Sequence, residues 1–308
     1  MNPRQSWKGV FPAVTSQFRA DFSFDAAATA RVIDALVRDG ISGLVVAGTV
    51  GENTALSPGE KQELLEAAVG VVAGRVPVIC GVAEYTTELA AATARLAKTA
   101  GVDGLMVLPA MVYPAKPRET LAHFRGVASA TDLPVMIYNN PPAYRTDVTP
   151  AMLSRLSDVE TIVAFKESSG DTRRFVDLRN LTGDRFIPFC GLDDVVMESV
   201  LLGAVGWVSG MSNIFPREGE TLFRLTVAGR IAEARALYDW FMPLLHLDAR
   251  PDLVQAIKLA EFIAGRGDWR TRPPRLGLEG TEREEIEVLM RDALAQRPAL
   301  PDVGLPVA

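Results

Sequence analysis

Eight short apolar runs alternate with amphipathic stretches along this 308-residue chain, and that alternation restricts the fold more than any other feature. The runs at 10–14, 44–47, 78–81, 105–108, 135–138, 162–166, 186–190 and 206–209 have the length and composition of buried strands. Between them, 25–38, 58–73, 86–99, 118–130, 172–180 and 193–202 repeat apolar residues at helical spacing. Pro58 suits a first helical turn with Ser57 as its N-cap, and Gly40 and Gly101 fall just past helix ends. Strand and helix repeated eight times predict a (β/α)8 TIM barrel, an α/β fold. The rival, an open doubly wound sheet, would carry a G-x-G-x-x-G turn after an early strand, and none is present. Further helical patterns at 218–228, 231–246, 251–265 and 282–295 divide the chain into a barrel over 1–230 and appended C-terminal helices over 231–308.

Composition excludes several function classes. The net charge is −6, so no basic nucleic-acid footprint is expected. No apolar stretch reaches membrane-helix length, and the N-terminal segment lacks a signal-peptide pattern. Two cysteines, Cys80 and Cys190, do not make a disulfide framework, so a cytoplasmic location is expected. Only two histidines exist, His123 and His246, far apart and both in helical patterns. A histidine metal site or a Ser-His-Asp triad is therefore not expected, and proton transfer falls to tyrosine, lysine or carboxylates.

Lys166 is the residue that points to chemistry. It closes the apolar run Ile162-Val163-Ala164-Phe165, where an ammonium is costly to desolvate. A lysine at a strand end can simply reach water. Held out of water, its pKa falls and its lone pair becomes a nucleophile suited to Schiff-base formation. Residues two apart share a strand face, so Tyr138 on the preceding strand is expected to project beside Lys166 at the barrel mouth. A phenol there can move protons without a histidine. The loop Gly48-Thr49-Val50-Gly51 after the second strand offers small residues and backbone N–H groups to an anion. Glu52 and Glu167 read as structural or solvated carboxylates.

Three segments, Gly48-Thr49-Val50-Gly51-Glu52, Tyr138-Asn139-Asn140-Pro141 and Phe165-Lys166-Glu167-Ser168-Ser169-Gly170, resemble the motifs of the dihydrodipicolinate synthase / N-acetylneuraminate lyase family. The resemblance runs from Gly9-Val10-Phe11-Pro12 to Pro273-Pro274-Arg275-Leu276. It implies a class I aldolase-like enzyme with Lys166 as Schiff-base residue, Tyr138 as proton relay and Thr49 as catalytic hydroxyl. It further implies substrate contacts at Gly48, Val50, Asn140, Gly191, Asp193 and Gly210, with Asp193 and Asp194 selecting the substrate tail. No cofactor is implied. The implied partners are a small 2-oxo or 2-imino acid and further copies of the chain, in a homotetramer built as a dimer of dimers.

Three departures bear on the substrate. Val50 replaces the second hydroxyl residue of the synthases. Ala143 stands where synthases carry a carboxylate-binding arginine, with Arg145 two residues on. Val112 stands where a tyrosine is lent to the neighbouring subunit, with Tyr113 beside it as the candidate relay. Together with Trp207-Val208-Ser209-Gly210-Met211 and Leu247-Asp248-Ala249-Arg250-Pro251-Asp252, the motifs look most like the Δ1-pyrroline-4-hydroxy-2-carboxylate deaminases of hydroxyproline breakdown. The alternatives are an aldolase or dehydratase of a 2-keto-3-deoxy sugar acid or 4-hydroxy-2-oxoglutarate, a dihydrodipicolinate synthase and, remotely, a non-catalytic sensor.

Overall fold

A computed structural model describes residues 2–305. Eight parallel strands form its centre: β1 (Gly9–Pro12), β2 (Leu44–Val46), β3 (Val78–Val82), β4 (Gly104–Val107), β5 (Val135–Asn139), β6 (Ile162–Glu167), β7 (Ile187–Cys190) and β8 (Gly206–Ser209). They pair in the order β1-β8-β7-β6-β5-β4-β3-β2. A bridge between Ala13 and Val45 joins the two ends and closes the barrel. The fold is thus a (β/α)8 barrel. Most strand residues are buried, because the inner faces pack on one another and the outer faces pack under helices. Inside the barrel, Phe11 and Phe189 meet edge to face at 5.3 Å.

The surrounding helices are α1 (Ala26–Arg38), α2 (Pro58–Val72), α3 (Thr87–Ala100), α4 (Pro117–Ala128), α5 (Pro150–Ser154), α6 (Arg173–Thr182), α7 (Val196–Leu201) and α8 (Pro216–Val227). Helix α2 starts as its sequence predicts. The Ser57 hydroxyl accepts from the Glu60 N–H at 3.3 Å, and the Glu60 carboxylate accepts from the Ser57 N–H at 2.8 Å. Gly101 caps α3 in the left-handed conformation. Helices α9 (Ile231–Leu245), α10 (Leu253–Ile263) and α11 (Gly280–Ala295) follow the barrel. A short 3₁₀ turn, His246–Ala249, joins α9 to α10 and leans against the segment after β7. Among the described residues, no helix is long and apolar enough to cross a membrane.

Of the three buried lysines, two show how charge is handled in this core. Lys258 of α10 donates to Glu52 at 3.0 Å and to the Ser16 carbonyl at 2.7 Å. The other Glu52 oxygen accepts from the Arg272 N–H at 2.9 Å. This bond set locks the left-handed Glu52, at φ 54°, beneath the loop after β2. Lys258 is therefore a structural cation, as Glu52 is a structural anion. Lys166, the second one, has no such partner.

Candidate active site

The β5–β6 register places Tyr138 directly beside Lys166. A bulge at Val163 lets Ala164, not Val163, pair with Met136, and it restores the alternation that turns Lys166 inward. Lys166 Nζ lies 3.9 Å from the centre of the Tyr138 ring. Both side chains are nearly buried, at 5% exposure each. Lys166 forms no ion pair among the described residues. Burial pulls its pKa down, against the opposing pull of Asp248, Tyr144 and Asp193. Burial pushes the Tyr138 phenol up to about 12, so it is a neutral donor at ordinary pH.

Asn140 organises the next layer. Its amide donates to the Tyr138 hydroxyl at 3.0 Å, and its carbonyl accepts from the Ala143 N–H at 3.1 Å. The second bond caps a single helical turn, Pro141–Tyr144, with Pro141 at its first position. That turn swings Tyr144 back over the site. Its hydroxyl hydrogen-bonds Thr49 Oγ1, and its ring meets Tyr138 edge to face at 5.7 Å. Thr49, Tyr144 and Tyr138 thus gather three hydroxyl groups beside Lys166 within one protomer. The turn ends at Arg145 in a left-handed conformation, and the arginine side chain points to solvent.

These groups line a cavity of about 30 Å³ that also includes Gly210 and Asp248. Lys166 is its one cationic side chain among the described residues. Thr49 and Val50 line it from the loop after β2, and their N–H groups make no hydrogen bond among the described residues. They are free to hold a carboxylate. Asp248, on the turn between α9 and α10, is the cavity's carboxyl group. Burial pushes it up to about 6, against the lowering effect of Lys166 and the Asp193 N–H.

Lys166, Tyr138, Thr49, Val50, Asn140 and Gly210 come together as the sequence motifs imply. Four residues sit elsewhere. Gly48 packs near Met106 behind the loop. Gly191 packs against the lysine stem, where a side chain would overlap Lys166. Asp193 does not reach the cavity. Its carboxylate accepts from Trp207 Nε1 at 2.8 Å, Ser209 Oγ at 3.1 Å and the Met211 N–H at 2.8 Å. With both oxygens occupied, it clamps the segment after β8. Tyr113 is 61% exposed and lies outside this protomer's cavity. Sequence reasoning missed Tyr144 and Asp248. Both lie in segments that carry the resemblance, but their roles depend on chain reversals that no periodicity reveals.

Neither histidine and neither cysteine lines the cavity. His123 is buried between Thr87 and the Leu108 carbonyl, at 3.0 and 3.2 Å. His246 pairs with Asp194 at the surface, at 2.9 Å. Burial raises both cysteine thiols to about 12.

The model of the dihydrodipicolinate synthetase family matches residues 6–293. The chain belongs to that family. It is 32% identical over 295 residues to a 4-hydroxy-tetrahydrodipicolinate synthase of Methanothrix thermoacetophila, a match covering 94% of this chain and 97% of the relative. It is 33% identical over 293 residues to an uncharacterised DapA-like lyase of Rhizobium meliloti, covering 93% and 97%. The fold superposes on crystalline dihydrodipicolinate synthase from Aquifex aeolicus with a TM-score of 0.89 at 27% identity, over 92% of this chain and 97% of that one. A family member from E. coli K12, solved in complex with pyruvate, gives 0.88 at 26% identity, over 94% and 99%. The protein is thus a lyase of the dihydrodipicolinate synthetase family, built on the aldolase-type barrel.

Proposed function

We propose that this protein is a Schiff-base lyase whose substrate is the cyclic imine Δ1-pyrroline-4-hydroxy-2-carboxylate, which it converts to 2-oxoglutarate semialdehyde and ammonia. The observation that carries the reading is a buried Lys166 without an ion-pair partner, 3.9 Å from Tyr138, in a cavity whose remaining charged group is the Asp248 carboxyl. Lys258, equally buried but salt-bridged, shows what a structural lysine looks like in the same core.

Neutral Lys166 attacks C2 of the imine, and transimination opens the ring to free the C5 amine. The iminium acidifies C3–H, and the freed C5 amine accepts that proton with the Tyr138 hydroxyl as relay. The hydroxyl at C4 leaves, and tautomerisation with hydrolysis releases ammonia. The Thr49–Val50 loop holds the C1 carboxylate and fixes the orientation, an effect worth several kcal/mol.

Charge supports the deaminase over a condensation with aspartate semialdehyde. The latter brings a second carboxylate, yet Ala143 and Asp248 line the cavity and Arg145 faces solvent. A second carboxylate finds no cationic partner beside Asp248, whereas the freed amine finds a carboxyl group to hydrogen-bond. The second reading, 4-hydroxy-tetrahydrodipicolinate synthase, is favoured by the names of relatives near 32% identity. A panel of the cyclic imine, and of pyruvate with aspartate semialdehyde, separates the two when run on wild type and Lys166→Ala. Ammonia and semialdehyde from the imine support the deaminase. Condensation without ammonia supports the synthase. Turnover surviving in Lys166→Ala overturns the lysine mechanism.

A further inference from the structure

The C-terminal extension sends two side chains, Asp248 and Leu253, into the barrel mouth, and one of them is an acid. The neighbouring carboxyls of the barrel are engaged elsewhere: Glu167, at the end of β6, is tied to the Asn139 amide at 3.0 Å and the Ser169 N–H at 2.6 Å, and Asp193, after β7, is held by three donors. Asp248 differs from both. It lines the cavity with Lys166 and Tyr138, and no side-chain donor from the protein saturates it among the described residues. Its position is set from three directions. The 3₁₀ turn His246–Ala249 carries it inward. The Asp193 N–H hydrogen-bonds its carboxylate. Gly210 makes room for it, since a Cβ there would overlap its carboxylate oxygen and lie 2.6 Å from Ile257 Cδ1.

Tyr138 approaches Lys166 from β5, on one flank of β6. Asp248 reaches the same lysine beside Asp193 and Gly210, which follow β7 and β8 on the other flank. A substrate joined to Lys166 through C2 is therefore bracketed by two proton-transfer groups. One is the Tyr138 hydroxyl, with Tyr144 beside it at the carboxylate-binding loop. The other is a carboxyl group on the far side.

We infer that Asp248 is a further catalytic residue, the acid–base group that protonates the departing C4 hydroxyl and then removes a proton from C5. The inference rests on the deaminase reading. In the ring-opened Schiff base, the freed C5 amine takes a C3 proton through the Tyr138 hydroxyl and leaves an enamine. Its electron pair forms the C3–C4 double bond as the C4–O bond breaks, the Asp248 carboxyl gives its proton to the leaving oxygen, and water departs. The C2 iminium is restored, conjugated to C3=C4. The Asp248 carboxylate then takes a C5 proton, returning to the acid, while the C5 ammonium returns its proton to C3 through Tyr138. The resulting C4=C5 enamine carries the amine, and its tautomerisation and hydrolysis by water release ammonia. No oxidant or reductant is consumed. Partial burial of Asp248, which lifts its pKa to about 6, suits a carboxyl that gives and regains a proton near neutral pH.

The test compares wild type, Asp248→Asn and Asp248→Glu on the cyclic imine, reading ammonia release and the mass of the borohydride-trapped adduct on Lys166. Asp248→Asn is expected to release ammonia about 10²- to 10⁴-fold more slowly. Its trapped adduct is expected to retain the C4 oxygen, and Asp248→Glu is expected to recover part of the rate. Pyruvate trapping on Lys166 is expected at the wild-type yield in both variants, which reports an intact fold and lysine. Wild-type ammonia release by Asp248→Asn overturns the assignment while leaving the deaminase reading in place. So does loss of pyruvate trapping together with turnover, because Asp248 then serves the lysine or the fold. Absence of ammonia from wild type overturns the deaminase reading, and the assignment with it.

Discussion

Gly191→Ala tests the geometry around the nucleophile without touching a reactive atom. Gly191 follows β7, and its N–H donates to the Glu167 carbonyl at 2.9 Å. Its φ lies outside the left-handed region, so alanine does not meet backbone strain of that kind. The added Cβ would lie 2.2 Å from Ser168 Oγ and 2.6 Å from both Cγ and Cε of Lys166. Ordinary carbon contacts are about 3.5 Å, so the lysine stem must retreat by about 1 Å. A displacement of that size at a reacting centre can lower the rate by about 10²-fold. Overpacking is expected to lower stability by about 1–3 kcal/mol, which leaves a folded protein. Steady-state ammonia release gives kcat, and thermal unfolding gives the stability. The expected result is a fall in kcat of about 10²-fold with a cooperative unfolding transition retained. A variant with wild-type kcat would refute the claim that Gly191 exists to leave space for the lysine.

Tyr144→Phe removes the hydroxyl that joins Thr49 to the Tyr138 ring, and kcat is expected to fall by about 10²-fold with pyruvate trapping preserved. Tyr113→Phe is expected to turn over at the wild-type rate, and a comparable loss there would show that the relay crosses to a neighbouring protomer. Lys258→Met leaves Glu52 buried without its cation, and chemical denaturation is expected to show a loss of about 3–5 kcal/mol. Burial raises Glu261 to about 7 from its ordinary 4.5, so the folded state holds a proton that the unfolded state has lost between those values. That stability is fully present below pH 4.5 and is lost as pH rises to about 7, and Glu261→Gln is expected to flatten this slope in denaturation series at pH 5 and pH 8.

The barrel was legible because each strand is a short apolar run bounded by turn residues. The pairing of Tyr138 with Lys166 was legible because strand alternation is local, and the bulge at Val163 preserves it for the last three residues of β6. The helix starts at Ser57 and Pro58 followed from capping chemistry alone. What stayed hidden depends on chain reversal. Tyr144 reaches Thr49 through a four-residue turn, across 95 positions in sequence. Asp248 enters the cavity from a turn between helices beyond the barrel. Asp193 looked like a substrate contact in sequence, and Trp207, Ser209 and Met211 supply donors to both of its oxygens. A pattern records residue types and spacing, and it does not record which donors will converge on a carboxylate.

The central claim is that Lys166 forms the covalent bond to substrate. Borohydride reduction in the presence of pyruvate, followed by peptide mass mapping, measures it most directly. The expected result is a reduced pyruvyl adduct on the peptide carrying Lys166, absent from Lys166→Ala. An unmodified Lys166 in the wild type, or an adduct on another lysine such as Lys258, would contradict the account.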